Sequence, residues 1–341
     1  MTRLWTDGAE GGGLGRWSAY SGSNLAAVTT LPRTGTYSYL MKTAASDSPY
    51  YTIIFAAGKT EFYARFAIYF LADDNNPFLY WMNGGSAGGS LRTVTFGTVG
   101  TVSMYDGGTL RATSSPINLN INEWHVFEVH VKIAASPNGV FQLKFDGTLV
   151  IDWAGATNAQ ASMDRLKFVN ILFGVNLNSY RLDDIAVNDI VGANDNAWPG
   201  DGGVLAALVP TGVGNYTDLI ASAGDAWACV DEIPSNSDTD YAYESTIDKK
   251  STYVMSNLAG LPTNASIPRV WVELAAKQTA AEGDKIATFL RSATTNAQGA
   301  DQALTIAYAR YLSAEYLTDP ADAAAWTQAK VDALQAGAIV R

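Results

Sequence analysis

The pentapeptide GGSAG at residues 84–88 has the G-x-S-x-G form of a nucleophile elbow. That chemistry needs Ser86 on a sharp strand-to-helix turn, with a histidine and an acid in reach. The next residues, GSLRTVTFGTV, alternate like a strand, so the supporting helix is missing and the match reads as a glycine-rich loop. GKT at Gly58–Thr60 resembles the end of a phosphate-binding loop. The position five residues before Gly58 is Ile53, and a strand comes after it, so no helix N-terminus would meet a phosphate. The two histidines, His125 and His130, are five apart in a strand-like segment and face opposite ways. They cannot share one metal ion from that strand, and both are expected as half-exposed strand residues.

Carboxylate pairs are the remaining catalytic option. Glycoside hydrolysis needs two acids across a groove. Glu123 and Glu128 are five apart and so lie on opposite faces, and Asp183 and Asp184 are adjacent and point apart. No Glu-x-Asp-x-x-Glu arrangement appears. The expectation is therefore of no catalytic residue, no metal site, no cofactor and no enzyme. The acids and amides of GANDNAWPGDGG, residues 192–203, lack EF-hand spacing and read as a solvated turn. One constellation suits a sugar: in FLYWMNGG, Tyr80 and Trp81 stand beside Asn83. An aromatic ring stacks on a pyranose while an amide binds its hydroxyls. Tyr80, Trp81 and Asn83 are the candidate glycan-binding residues, against the alternative that they are ordinary strand and core residues.

The elements that would carry these residues are strands. FQLKFDGTLVIDW, from Phe141 to Trp153, is a strand, an Asp146-Gly147 turn and a second strand. EFYARFAIYFL alternates Phe62, Ala64, Phe66, Ile68 and Phe70 against Tyr63, Arg65, Ala67 and Tyr69. EWHVFEVHVKI alternates Phe127, Val129, Val131 and Ile133 against a mixed face holding Trp124, Glu128, His130 and Lys132. Short strands at regular turn spacing, with no helical period, predict an all-β sandwich with one wet face per sheet. Residues 192–203 break the pattern, which gives an N-terminal domain over 1–191, a linker over 192–203 and a second β-sandwich over 204–341. In the second half AWACVDEI, DYAYEST, PRVWVELAAKQ and QALTIAYARYLS all read as strand-like. Near the end, Asp319 as N-cap, Pro320 as first helical residue and Gly337 as stop predict a short terminal helix packed through Trp326, Val331 and Leu334.

Composition excludes several partners. Lys plus Arg total 22 and Asp plus Glu 33 in 341 residues, for a net charge of −11. A chain this acidic is repelled by nucleic acid and by anionic membrane surfaces. Cys229 stands alone, which excludes an intramolecular disulfide, fits synthesis in a reducing cytoplasm and reads as a small buried residue. The N-terminal residues lack a signal-peptide pattern, and no apolar run spans a bilayer.

Several stretches in order resemble a known fold family. LWTDGAEGGGLGRWS, TGTYSYLMK, EFYARFAIYF, EWHVFEVHVKI with GVFQLKFDGTLVIDW, and YRLDDIAVND resemble the successive strands of concanavalin A-like lectin/glucanase jelly rolls, over roughly residues 1–190. WPGDGGVLAALVPTGVGNYTDL, DTDYAYEST and DPADAAAWTQAKVDALQAG resemble the second domain that comes after such a jelly roll in tailed-bacteriophage virion proteins. The resemblance implies a virion structural protein (head fibre, decoration protein or tail appendage), made in the host bacterial cytoplasm and carried on the virion surface. It implies capsid or tail proteins as partners, a homo-oligomer such as a trimer, and adhesion to a host surface glycan. A carbohydrate-binding module and a polysaccharide-degrading enzyme are the rival readings. The glucanase catalytic acids are absent at the matching place.

Overall fold

A computed structural model describes residues 3–42, 47–71, 78–83, 90–95, 99–106, 109–118, 120, 122–157, 161–170, 179–192, 195–261, 265–280 and 283–341; for 78–83, 90–95 and 99–100 the description is of the backbone. The chain divides into two compact units, residues 1–206 and 207–341. No described helix is long and apolar enough to cross a membrane.

The first unit is a jelly-roll sandwich. Its strands in chain order are β1 (Arg3–Asp7), β2 (Ala19–Ser21), β3 (Leu25–Val28), β4 (Ser38–Lys42), β5 (Tyr50–Lys59) and β6 (Glu61–Phe70). Then come β7 (Phe78–Asn83), β8 (Ser90–Thr95), β9 (Val99–Gly100), β10 (Val102–Asp106), β11 (Thr109–Thr113) and β12 (Ile117–Asn118). Last are β13 (Trp124–Lys132), β14 (Gly139–Phe145), β15 (Thr148–Gly155), β16 (Met163–Asn170) and β17 (Ser179–Asp189). Among the described residues they form an eight-stranded sheet in the order β15-β14-β13-β6-β17-β4-β3, with β1 also on β17, and a seven-stranded sheet in the order β11-β10-β8-β7-β16-β5-β2.

The predicted alternation sets the core. Phe62, Ala64, Phe66, Ile68 and Phe70 from β6 and Phe127, Val129 and Val131 from β13 meet Tyr51, Ile53, Leu166 and Phe168 of the facing sheet. Each phenylalanine, leucine, isoleucine and valine among them contributes roughly 1.5–3 kcal/mol on burial. Ring geometry locks the layers: Phe66 stacks on Phe127 at 5.6 Å and meets Phe168 edge-on at 5.0 Å. Trp17 stacks on Tyr51 at 4.6 Å. The Asp146-Gly147 turn joins β14 to β15 with φ of 46° and 76°, the paired left-handed residues of a type I′ hairpin.

One sequence expectation is corrected on the outer face of the eight-stranded sheet, which is covered rather than wet. Residues 195–205, which take in most of the stretch 192–203 read as a linker, run over it as a strap bonded to the first unit. Gly200 N donates to Glu128 Oε1 at 2.6 Å, and its carbonyl accepts from Arg65 Nη1 at 2.9 Å. Asn188 Nδ2 donates to the Ala197 carbonyl at 2.8 Å, and Leu205 N to Asp184 Oδ1 at 3.2 Å. The Trp198 ring meets Tyr63 at 5.3 Å and His130 at 6.0 Å, with Lys144 Nζ 4.2 Å above it. The glycines and proline that mark a loop in sequence mark a loop that packs.

The second unit holds β18 (Pro210–Thr217), β19 (Ile220–Ala221), β20 (Ala242–Tyr243), β21 (Lys250–Met255), β22 (Glu273–Ala276), β23 (Lys285–Ser292), β24 (Thr295–Gln298), β25 (Gln302–Ala303) and β26 (Ala309–Leu312), then helix α1 (Gln328–Asp332) and β27 (Gln335–Val340). Its main sheet runs β18-β21-β27-β23-β24, with β25 on β23, and two ribbons pair β19 with β20 and β22 with β26. Trp326, Val331 and Leu334 are buried together with Val272 and Leu290, as expected. The terminal helix is shorter than its sequence pattern. It is one turn, capped by Thr327, whose side chain accepts from Lys330 N. Asp319 instead accepts from Ala321 N in a preceding turn. Gly337 does not stop a helix: it sits mid-strand in β27, where a Cβ would press into the backbone of Ser251 and Thr252. Two strand-like stretches are also loops. Residues 226–233 form turns, with the Cys229 thiol donating to the Ala223 carbonyl at 2.8 Å. Residues 304–308 lie between β25 and β26 with Ile306 exposed.

Candidate functional site

The residues that sequence reasoning weighed for chemistry go to different places. Ser86 lies outside the described residues. Lys59, in the rejected phosphate-loop match, pairs with Asp189 at 2.6 Å. Glu128 is buried under the strap, while Glu123 is exposed just before β13, so the two are not an acid pair. The two histidines face opposite ways as expected, but both are buried, not half-exposed. His125 packs on Phe145 at the end of the core, and His130 lies on Tyr63 at 4.1 Å beneath Trp198. The strap covers His130, and no local sequence signal near His130 announces that. No described group of three or more histidine, cysteine or acidic side chains is arranged to hold a metal ion.

The outer face of the seven-stranded sheet differs from the covered one. On β5, Tyr51, Ile53 and Phe55 enter the core, which leaves Tyr50, Thr52 and Ile54 on the other side, Ile54 being exposed. On β16 the register slips between Met163 and Arg165. Arg165 alternates with Leu166 and so lies on the same side as Lys167, while Asp164, beside the shift, is half-buried, and the two close a bidentate pair at 2.8 and 2.9 Å. The hydrogen bond to Asp164 raises the Arg165 pKa and secures its charge. Lys167, two residues on, places Nζ 3.7 Å from the centroid of the Tyr50 ring. Partial burial, then the positive charge of Arg165, push the Lys167 ammonium below its ordinary pKa.

Register extends this face along rows that cross the sheet. Thr52, Lys167, Trp81, Arg92 and Tyr105 are successive partners through β5, β16, β7, β8 and β10. Ile54, Arg165, Asn83 and Ser90 form the next row. Two of the candidate glycan-binding positions, Trp81 and Asn83, thus fall in register with Lys167 and Arg165. Tyr80 pairs with core residue Phe168. The side chains of Tyr80, Trp81 and Asn83 lie outside the described residues. At the far edge, the Ser103 and Thr113 hydroxyls are 3.2 Å apart and Arg111 meets Asp106 at 3.3 Å. Sequence reasoning missed Lys167, Arg165 and Tyr50. The alternation of RLKFVN carries a signal for both Arg165 and Lys167, which share the face opposite Leu166 and Phe168.

A lysine with a depressed pKa over a phenol ring, and an arginine two residues away that Asp164 holds in its charged form, can bind a carboxylate and move a proton next to it.

No protein-family model and no curated protein matches the sequence. Solved structures similar to the chain include an endo-β-1,4-glucuronan lyase from the fungus Trichoderma reesei, 14% identical, with TM-score 0.43 over 55% of this chain and 95% of that one. A conserved carbohydrate esterase from Shiga toxin-encoding bacteriophage phi24B is 16% identical, with TM-score 0.42 over 55% of this chain and 98% of that one. A PL-14 alginate lyase from Aplysia kurodai is 10% identical, with TM-score 0.42 over 55% of this chain and 99% of that one. At these identities the likeness concerns the fold. The expectation of a non-enzyme is nevertheless corrected: several of the similar structures are polysaccharide lyases, and one is a carbohydrate esterase. The missing Glu-x-Asp-x-x-Glu bears on glucanase chemistry alone.

Proposed function

We propose that the outer face of the seven-stranded sheet binds an anionic polysaccharide and cleaves it by β-elimination at a uronate. The observation that carries this is the Lys167–Tyr50–Arg165 cluster, a cationic and aromatic group on a chain of net charge −11. Arg165, held by Asp164 through Nε and Nη2, would offer its Nη1 to the uronate carboxylate, which acidifies the adjacent C5–H. Lys167 Nζ, neutral at the moment of reaction, would take that proton. The C5–H electron pair would form the C4=C5 bond, and the C4–O4 bond would break with its electrons on O4. The Tyr50 hydroxyl would return a proton to O4. The Lys167 pKa shifts downward, toward the free amine, which is the direction a base needs.

The experiment is incubation of the full chain with polyglucuronate, alginate and polygalacturonate, tracking the ultraviolet absorbance of unsaturated chain ends. Turnover of one of these by the wild type, lost in Lys167→Ala and in Tyr50→Phe, is expected. Binding without turnover would leave a carbohydrate-binding module. No binding of any of the three would remove the reading.

A place on a phage particle is the finer part of the proposal. It rests on the resemblance of the stretches in residues 198–219, 238–246 and 319–337 to virion proteins. There the protein would meet capsid or tail proteins as a homo-oligomer and present the sheet face to host surface glycan, with repeated copies adding avidity. Mass spectrometry of purified particles and sedimentation of the purified chain test these parts separately.

A further inference from the structure

A second site stands apart from the Lys167 face. A cleft of 490 Å³ opens at the end of the eight-stranded sheet, between β12, the segment leading into β13, and the β14–β15 turn. Its volume falls within the range of small-ligand pockets. Trp124 supplies an aromatic wall, with its ring in edge contact with Tyr69 at 5.6 Å. Glu123 and Asp146 supply carboxylates, and Asn118 and Asn120 supply amides.

The polar groups are held in place. Glu123 Oε2 accepts from Asn120 Nδ2 at 2.8 Å. Asp146 Oδ1 accepts from Val126 N at 2.7 Å, and Oδ2 lies 2.7 Å from His125 Nδ1. The other ring nitrogen, His125 Nε2, lies 2.9 Å from the Asn120 carbonyl. A carboxylate and a backbone carbonyl only accept, so the ring joins both walls best with a proton on each nitrogen. His125 is 4% exposed and acts as a rivet between the Asn120 segment and the hairpin turn. Each carboxylate keeps lone pairs for a further donor, because an ionised carboxylate offers about four acceptor sites.

We infer that this cleft is a binding site for a neutral pyranose, stacked on Trp124, with its hydroxyls donating to Glu123 and Asp146 and paired with the Asn118 and Asn120 amides. Among the described residues, two carboxylates line the cleft and no lysine or arginine does, which disfavours a uronate or any other anion. The site would therefore hold a different sugar from the one taken by the Lys167 face.

The test is titration of the full chain with methyl glucoside, methyl galactoside, methyl mannoside and N-acetylglucosamine, read by saturation-transfer NMR and by the Trp124 indole N–H resonance. Glucuronate and glucosamine serve as charged comparisons. At least one neutral glycoside should bind and move the Trp124 resonance, with glucuronate at least tenfold weaker. Trp124→Ala should lose at least tenfold in affinity and Glu123→Gln several-fold, while Lys167→Ala leaves it unchanged. Should Trp124→Ala fail to fold, the exposed Glu123→Gln variant and the wild-type indole shift decide. No binding of any neutral glycoside, binding indifferent to both cleft variants, or equal or tighter binding of glucuronate or glucosamine would overturn the inference. An effect of Lys167→Ala equal to that of the cleft variants would also overturn it, by placing the sugar on the other face.

Discussion

The His125 rivet makes the first unit pH-dependent in a direction that can be worked out. Burial disfavours the charged ring, but the hydrogen bonds to Asp146 and to the Asn120 carbonyl, with the charges of Asp146 and Glu123, outweigh it, and the net pKa shift is upward. These two carboxylates are the charged groups acting on the ring; β6 and β14 present Phe70 and Phe145 to it. A histidine whose folded pKa is raised stabilises fully below its unfolded value of about 6.5, and that stabilisation is lost as pH rises through the folded pKa. The loss cannot be steeper than about 1.4 kcal/mol per pH unit for one proton. One charge-assisted hydrogen bond is at stake, worth roughly 1.5–3 kcal/mol when fully buried. The Asp146 side chain is 44% exposed, so solvent screening brings the expected total to about 1–2 kcal/mol. Burial, then the neighbouring Asp184 charge, hold the Asp183 carboxyl up at about 8, and its titration also lowers stability as pH rises. The clean quantity is therefore the difference between wild type and His125→Phe, a ring that fits between Phe70 and Phe145 and does not titrate. Amide hydrogen exchange in β13 reports on the first unit alone. The wild-type advantage should shrink by about 1–2 kcal/mol between about pH 6 and about pH 9. A constant difference over that range, or one that grows, would refute the reasoning.

The same structure gives further expected outcomes. Arg181 is 8% exposed and bonds Thr30 Oγ1 at 3.2 Å, while its Nε and Nη1 find no partner among the described residues, so Arg181→Met should be neutral or stabilising by up to about 3 kcal/mol in urea unfolding. Gly337→Ala should destabilise the second unit by roughly 1–3 kcal/mol through the backbone of Ser251 and Thr252, with exchange in β13 unchanged. Glu128→Ala removes the acceptor for Gly200 N and should speed hydrogen exchange at that amide while β14 exchange stays slow.

What the sequence made legible were the elements whose pattern is local. The alternation in β6 and β13 marked the residues that enter the core, and Asp146-Gly147 marked the hairpin, because each depends on neighbours one or two residues away. What it hid depends on distant chain. Tyr63, His130 and Glu128 look like a wet face until residues 195–205 lie on them. Gly337 looks like a helix stop, yet its absent side chain answers to Ser251, far off in the sequence. The terminal pattern from Asp319 supports a helix by composition, but Thr327 caps only one turn before β27 joins the sheet. Of the glycan candidates read from FLYWMNGG, Trp81 and Asn83 share register with Lys167 and Arg165, and their side chains lie outside the described residues. The lysine, the arginine and Tyr50 were not foreseen, since the Lys167–Tyr50 contact joins residues over a hundred positions apart.

The central claim is that the Lys167 face receives a polyuronate. Calorimetric titration of the full chain with a uronate hexasaccharide, at low and high salt, tests it most directly. Binding that weakens with salt, and that falls at least tenfold in Lys167→Ala and in Arg165→Ala with the fold intact, is the predicted result. Affinity equal in the wild type and both variants, or no binding to any uronate oligomer, would contradict it.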